Sequence, residues 1–128
     1  MAEARSPRRG EIWYVDFDPA RGSEQAGRRP ALVIQNDAGN ASHVYPNTIV
    51  LAMSTARRNG PLNVRVEAHR ATGLRETTWV KCEQVLTISK FRLLGRGPLG
   101  RLDDETLRKV EVALLLSVGI GLPRDDGG

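Results

Sequence analysis

A second cysteine is missing from this sequence. Cys82 stands alone among 128 residues, so no disulfide can form within the chain. One thiol and two well-separated histidines, His43 and His69, leave no Cys/His cluster of the kind that holds structural zinc. No run approaches the ~20 apolar residues of a membrane helix. The opening MAEARSPRR lacks the apolar middle of a signal peptide. These absences exclude a disulfide-stapled secreted module, a zinc-folded domain and a helical membrane protein. A cytoplasmic domain with no membrane partner is the expectation.

Lysine is scarce as well, with 3 Lys against 16 Arg in a chain of net charge +4. The positive balance favours an anionic partner, and the planar arginine fork suits phosphate better than an ammonium does. A GC-rich genome produces the same ratio, so composition points towards nucleic acid without choosing it. Several signatures are also lacking: a phosphate-cradling P-loop, a zinc-protease motif, a nucleophile elbow, and an acidic cluster suited to paired magnesium ions.

What is present reads as one domain, expected over residues 9–122, between a ragged leader at 1–8 and a frayed tail at 123–128. Residues 10–17, GEIWYVDF, put Trp13, Val15 and Phe17 on one face, as a half-buried strand does. Asp18-Pro19 stops it, and a polar loop follows with Gly22 and Gly27 as pivots. The run PALVI at 30–34 suits a strand buried on both faces, and NDAGN at 36–40 breaks it. Further strands are expected at 47–55, 64–67 and 77–82. From Leu102 the period changes: Asp103-Asp104-Glu105 is a helix start, and Leu107, Val110, Leu114 and Val118 recur at helical spacing. Gly119, Gly121 and Pro123 end that helix. The fold class is mainly β with α (α+β), a small antiparallel barrel closed by a C-terminal helix.

Four features can carry chemistry. Arg29 precedes Pro30, which restricts its backbone to the extended region and launches its guanidinium from the edge of the core, where it can meet charge on a transferring phosphoryl group. The plain alternative is a solvated arginine at a strand end. Ser54-Thr55 closes a strand, and alternation lets only one of the two hydroxyls face a given groove. His43 and His69 have the pKa range for acid–base cleavage of RNA, though they sit in separate loop-like segments. Gln84 can read a base edge and Arg92 can hold a backbone phosphate.

Together the residues resemble the MazF/PemK toxin family. The matching runs are RGEIW at 9–13 with DFDP at 16–19, GSEQ at 22–25, and RPALVIQND at 29–37, with weaker matches through Asn47 to Ser54, Gly73, Glu83-Gln84 and the helix from Asp103. The resemblance implies an SH3-like barrel with appended short helices, assembled as a homodimer with RNA bound near the subunit interface. It implies a toxin of a toxin–antitoxin system that cuts single-stranded RNA with no metal or other cofactor and so blocks translation. The catalytic pair it implies is Arg29 and Ser54, a serine where the family usually has threonine. With Thr55 adjacent, a shift of one residue exchanges the two hydroxyls. Ser23, Glu24 and Gln25 of the loop would clamp or gate the strand, and Thr78, Gln84 and Arg92 would contact bases and backbone. A cognate antitoxin with an acidic segment that folds on binding would cover the same basic groove. Two other classes compete: a non-catalytic barrel that poisons a target such as DNA gyrase by attachment, and a nucleic-acid-binding regulator. The regulator lacks a helix-turn-helix or RNP signature.

Overall fold

Alternating burial along the strands builds two cores from one sheet. In the computed structural model, which describes residues 5–18 and 27–121, six strands run antiparallel in the order β4-β5-β3-β2-β1-β6. They are β1 (Glu11–Asp16), β2 (Arg28–Val33), β3 (Asn47–Ser54), β4 (Asn63–Val66), β5 (Thr78–Ser89) and β6 (Gly100–Arg101). Neighbours in sequence fall into different cores. Ile12, Leu32, Leu51, Met53 and Val80 meet Val110 and Ala113 of the C-terminal helix. Trp13, Val15, Ala31, Val33 and Val50 form the second core with Ile88 and Leu93. Burial on both faces is the reason the run PALVI is continuously apolar.

The helix α2 (Asp104–Ser117) starts where its residues dictate, with the Asp103 carboxylate accepting the Thr106 N–H at 2.6 Å. Those contacts with Thr106 hold the Asp103 carboxyl below the usual carboxylate range. Gly119, with φ +77°, follows the helix end. The segment 36–40, expected to end the strand before it, follows β2 and forms a one-turn helix, α1 (Asp37–Ala41). The helix has a local cause. The Asn36 side chain accepts the Gly39 N–H at 2.8 Å, and the Asn/Asp chemistry that makes turns also caps helices.

The strand expected at 77–82 is longer, running as β5 to Ser89, because residues 85–89 also pair with β3 beyond a large bulge. Leu51 pairs with Val85 but Met53 pairs with Val80, so residues 81–84 of β5 stand against Ala52 alone. Beyond β5, a single 3-10 turn (Lys90–Arg92) leads to Leu93, which bridges Val15 and lids the second core. The sheet curls until its two edges meet, where the Arg101 N–H of β6 donates to Ala71 in the β4–β5 connection at 2.9 Å. The result is an SH3-like barrel with short helices and a C-terminal helix. Of the leader expected at 1–8, Pro7 is buried and the Arg8 N–H donates to Glu11 Oε1 at 2.7 Å. Residues 1–4 and 122–128 lie outside the described residues.

Cys82 is fully buried in the first core, and that burial, with Glu83 alongside, pushes its thiol up to about 12. Thiolate is the reactive form, so the native protein stays unmodified by iodoacetamide at pH 8 and is labelled rapidly in denaturing urea. Mass spectrometry of the two samples checks this; rapid native labelling would contradict the packing.

Candidate nucleic-acid interface

Antiparallel register brings the two residues of the implied catalytic pair level with each other. Val15 pairs with Arg29, and Ser54 pairs with Trp79. Between them, Ala31 pairs with Ala52, and continuing that register by two residues sets Arg29 across from Ser54. Residues opposite each other on adjacent strands point to the same side, with Cβ atoms about 5 Å apart. That side is the one on which Ala31 and Val50 face the second core, with Ala52 buried beside Ala31. Arg29 and Ser54 stand where that core ends, Arg29 exposed and Ser54 half-buried. Ser54 Oγ accepts the Ala56 N–H at 3.1 Å, which leaves its hydroxyl hydrogen to be donated outward. Thr55 follows the strand and is exposed.

The bulge adds further groups to this side. Trp79 and Lys81 of β5 alternate with the core residues Val80 and Cys82 and so share the side of Ser54. Gln84, half-buried, stands two residues before Leu86, which packs on the second core, so the bulge brings it to the same side. Arg58, in the turn after β3, donates from Nε to Asn63 Oδ1 at 3.1 Å and pairs with Glu83 at 3.6 Å. Lys81 is held below the ordinary lysine range, first by its burial, then by Arg58 and Arg29, with Glu83 acting in the opposite sense. Arg29, Arg58 and Lys81 therefore lie near one another with the Glu83 carboxylate among them.

Other expected residues fall elsewhere. Thr78 is buried on the first-core side, opposite Val66, with its hydroxyl donating to the Glu76 carbonyl at 3.0 Å. It is not among the groups at the mouth. Arg92 is committed to backbone: its Nη1 donates to the carbonyl of Asp16 at 2.9 Å and to that of Asp18. Together with the Phe17 N–H on the Gly27 carbonyl at 2.9 Å, it ties down both feet of the connection between β1 and β2. Ser23, Glu24 and Gln25 lie outside the described residues. His43 and His69 line different cavities, and His69 Nδ1 accepts the Ala71 N–H at 3.0 Å. The structure does not bring them together. Among the described residues no three His, Cys, Asp or Glu side chains gather as a metal-ligand group, and no helix is long and apolar enough to cross a membrane. Lys81 and Arg58 were missed in the sequence; a lysine inside an otherwise buried strand was the available signal.

Comparisons with known proteins bear on the family and the fold. Residues 8–118 match a model described as the PemK-like, MazF-like toxin of type II toxin–antitoxin systems. The chain is 38% identical over 115 residues to endoribonuclease EndoA of Bacillus subtilis, covering 88% of this chain and 95% of that one. It superposes on MazF of Deinococcus radiodurans with a TM-score of 0.75 and 25% identity, covering 91% of this chain and 99% of that one. A mycobacterial endoribonuclease in complex with its cognate antitoxin shares the fold, with a TM-score of 0.74 at 24% identity, over 91% of this chain and 99% of that one.

Proposed function

The chain belongs to the PemK-like, MazF-like toxin family of type II toxin–antitoxin systems, and from that premise we propose that it is an endoribonuclease cutting single-stranded RNA between Arg29 and Ser54. The observation that carries the proposal is the register that sets these two side chains level on one side of the sheet, at the open end of the second core.

The reaction suits that pair. The RNA 2′-oxygen attacks its own adjacent phosphorus and the P–O5′ bond breaks, while one proton leaves O2′ and one arrives at O5′. The nucleophile belongs to the substrate, so the protein's tasks are alignment and stabilisation of negative charge growing on the phosphoryl oxygens. Arg29 supplies the charge, and the Ser54 hydroxyl donates to a non-bridging oxygen. Gln84, on the same side of the sheet, reads an unstacked base in this proposal. An A-form duplex does not readily reach in-line geometry, and DNA has no attacking oxygen. A barrel that poisons a target such as gyrase by attachment needs neither group at this mouth.

The partners follow from the same surface. A cognate antitoxin lays an acidic segment over Arg29, Arg58 and Lys81, and two copies of the chain pair with RNA near their interface. The toxin acts in the cytoplasm, where messenger RNA is available. Purified protein incubated with a long single-stranded RNA in excess EDTA yields cuts at one short recurring sequence, while DNA of that sequence stays intact. RNA left whole under these conditions, with the protein folded, would overturn the proposal.

A further inference from the structure

Resting on the ribonuclease reading, we propose that Arg92 is a positioning residue for Arg29: it clamps the end of β1, the strand against which Arg29 is paired. In the sheet, the start of β2 is laddered from one side. Arg28, Arg29 and Pro30 pair with Asp16, Val15 and Tyr14 of β1, whereas pairing with β3 begins only at Ala31. Pro30 has no N–H to give to either neighbour. Where the backbone of Arg29 sits therefore depends on where the end of β1 sits. On its other edge β1 pairs with β6 only at Glu11 and Ile12. Past that point the segment after β5 takes the place of β6. Leu93 bridges Val15, and the Leu94 N–H donates to the Tyr14 carbonyl at 2.8 Å. Arg92 Nη1 donates to the Asp16 carbonyl at 2.9 Å and to the Asp18 carbonyl. Leu93, Val15 and Arg29 thus form one row across the strands, with Arg92 gripping the turn of chain just beyond it.

The two parts of this grip do different work. Leu93 is buried in the second core and fixes Val15 by packing. Beyond Val15 no strand continues on that edge, and a side chain must supply the donors that a ladder would give to the Asp16 and Asp18 carbonyls. One guanidinium nitrogen reaching both carbonyls fixes their relative position. Asp18 is joined in turn to the start of β2. Its carboxylate accepts the Gly27 N–H at 3.0 Å, and the Phe17 N–H donates to the Gly27 carbonyl at 2.9 Å. Gly27 lies two residues before Arg29, so the clamp holds Arg29 both through its strand partner and through the chain leading into it. Catalysis by a pre-placed cation is sensitive to such support, since a displacement of about 1 Å can cost roughly 10²-fold in rate. The plain alternative is that Arg92 is itself a phosphate ligand, as its residue type suggests. The two roles differ in what they do to binding: a ligand adds affinity and salt dependence, whereas a clamp on Arg29 adds rate.

The test introduces Arg92→Met, which keeps a long stem without the donors, into the parent and into Arg29→Ala. Single-turnover cleavage of a mapped RNA is measured for all four proteins. In the parent background Arg92→Met lowers the rate of cutting about 10- to 100-fold. In the Arg29→Ala background it changes the rate by less than about threefold, because a residue acting only through Arg29 has nothing left to position. Binding is measured on a strand with 2′-deoxyribose at the scissile nucleotide, which is not cut. There the variant and the parent agree within about threefold, and the slope of log affinity against log salt is unchanged. Arg92→Lys, which returns a donor to the same place, recovers part of the rate. Should Arg92→Met not fold, Arg92→Gln carries the same comparison. A salt slope lower by about 0.7, the value for one phosphate contact on a single strand, would make Arg92 a phosphate ligand and overturn its assignment. So would equal losses in the two backgrounds, or no loss in either. Each of these results leaves the ribonuclease reading standing. Parent protein that cuts no RNA would overturn the ribonuclease reading itself.

Discussion

Replacing Arg29 with alanine lowers RNA cutting by about a thousandfold while the domain stays folded. The magnitude is that of a pre-positioned cation or donor removed from a site of developing phosphoryl charge, which costs on the order of 10²- to 10⁵-fold. The position explains the selectivity of the effect. Arg29 is exposed at the start of β2, ahead of the buried residues Ala31, Leu32 and Val33, so the cores are complete without its guanidinium. Substitutions at such surface positions usually change stability by less than about 0.5 kcal/mol. Lysine at position 29 recovers only part of the rate, because a point charge lacks the two parallel N–H groups that match two phosphoryl oxygens. The measurement is single-turnover cleavage of a mapped RNA, with circular dichroism on both proteins. Undiminished cutting by Arg29→Ala would remove Arg29 from the chemistry.

The second large effect is on stability, and it lies where the barrel closes. Gly73, with φ +72°, and Gly100 sit in two segments whose backbones touch: a Cβ at Gly73 would collide with the Leu99 carbonyl, and one at Gly100 with the carbonyls of Ala71 and Thr72. The contact joins the β4–β5 connection to β6, the same junction that holds the Arg101 N–H against Ala71. Backbone cannot swing aside as a side chain can. Alanine at Gly73 adds the left-handed penalty of about 1–2 kcal/mol to an overpacking cost of about 1–3 kcal/mol. Out of a total stability of about 5–15 kcal/mol, that lowers the melting temperature by roughly 10 °C or more. Gly100→Ala acts through the clash alone and is also strongly destabilising. Gly97→Ala is the control, since nothing lies within 4 Å of its added Cβ, and its melting temperature stays within a few degrees of the parent. A Gly73→Ala protein as stable as Gly97→Ala would mean that the barrel does not close there.

Both effects bear on how much of this molecule can be read without coordinates. The strand alternation at Trp13, Val15 and Phe17, the doubly buried run at 30–34 and the capped helix after Asp103 all correspond to observed elements, because each depends on residues within one or two turns of chain. The one-turn helix at Asp37–Ala41 escaped notice because five residues carry no period, and its cap is made of turn-forming residues. Thr78 read as an open hydroxyl, yet strand parity turns it into the first core, where it donates to the Glu76 carbonyl. Arg92 read as a phosphate ligand, yet the carbonyls of Asp16 and Asp18 take its guanidinium. Sequence proximity carries no information about a partner 74 or 76 positions away.

By itself the sequence determined the building blocks: strands by their apolar alternation, one helix by its cap and period, a rigid arginine by the proline after it, and a family by the run from Arg29 to Asp37. Only the tertiary structure decided which of these meet. It paired Ala31 with Ala52, so that the same register continued sets Arg29 across from Ser54, and it inserted four residues of β5 against Ala52. The physical reason is that periodicity is a property of a single segment. Register, bulge and closure are properties of pairs of segments, selected by which buried surfaces and backbone hydrogen bonds are satisfied together.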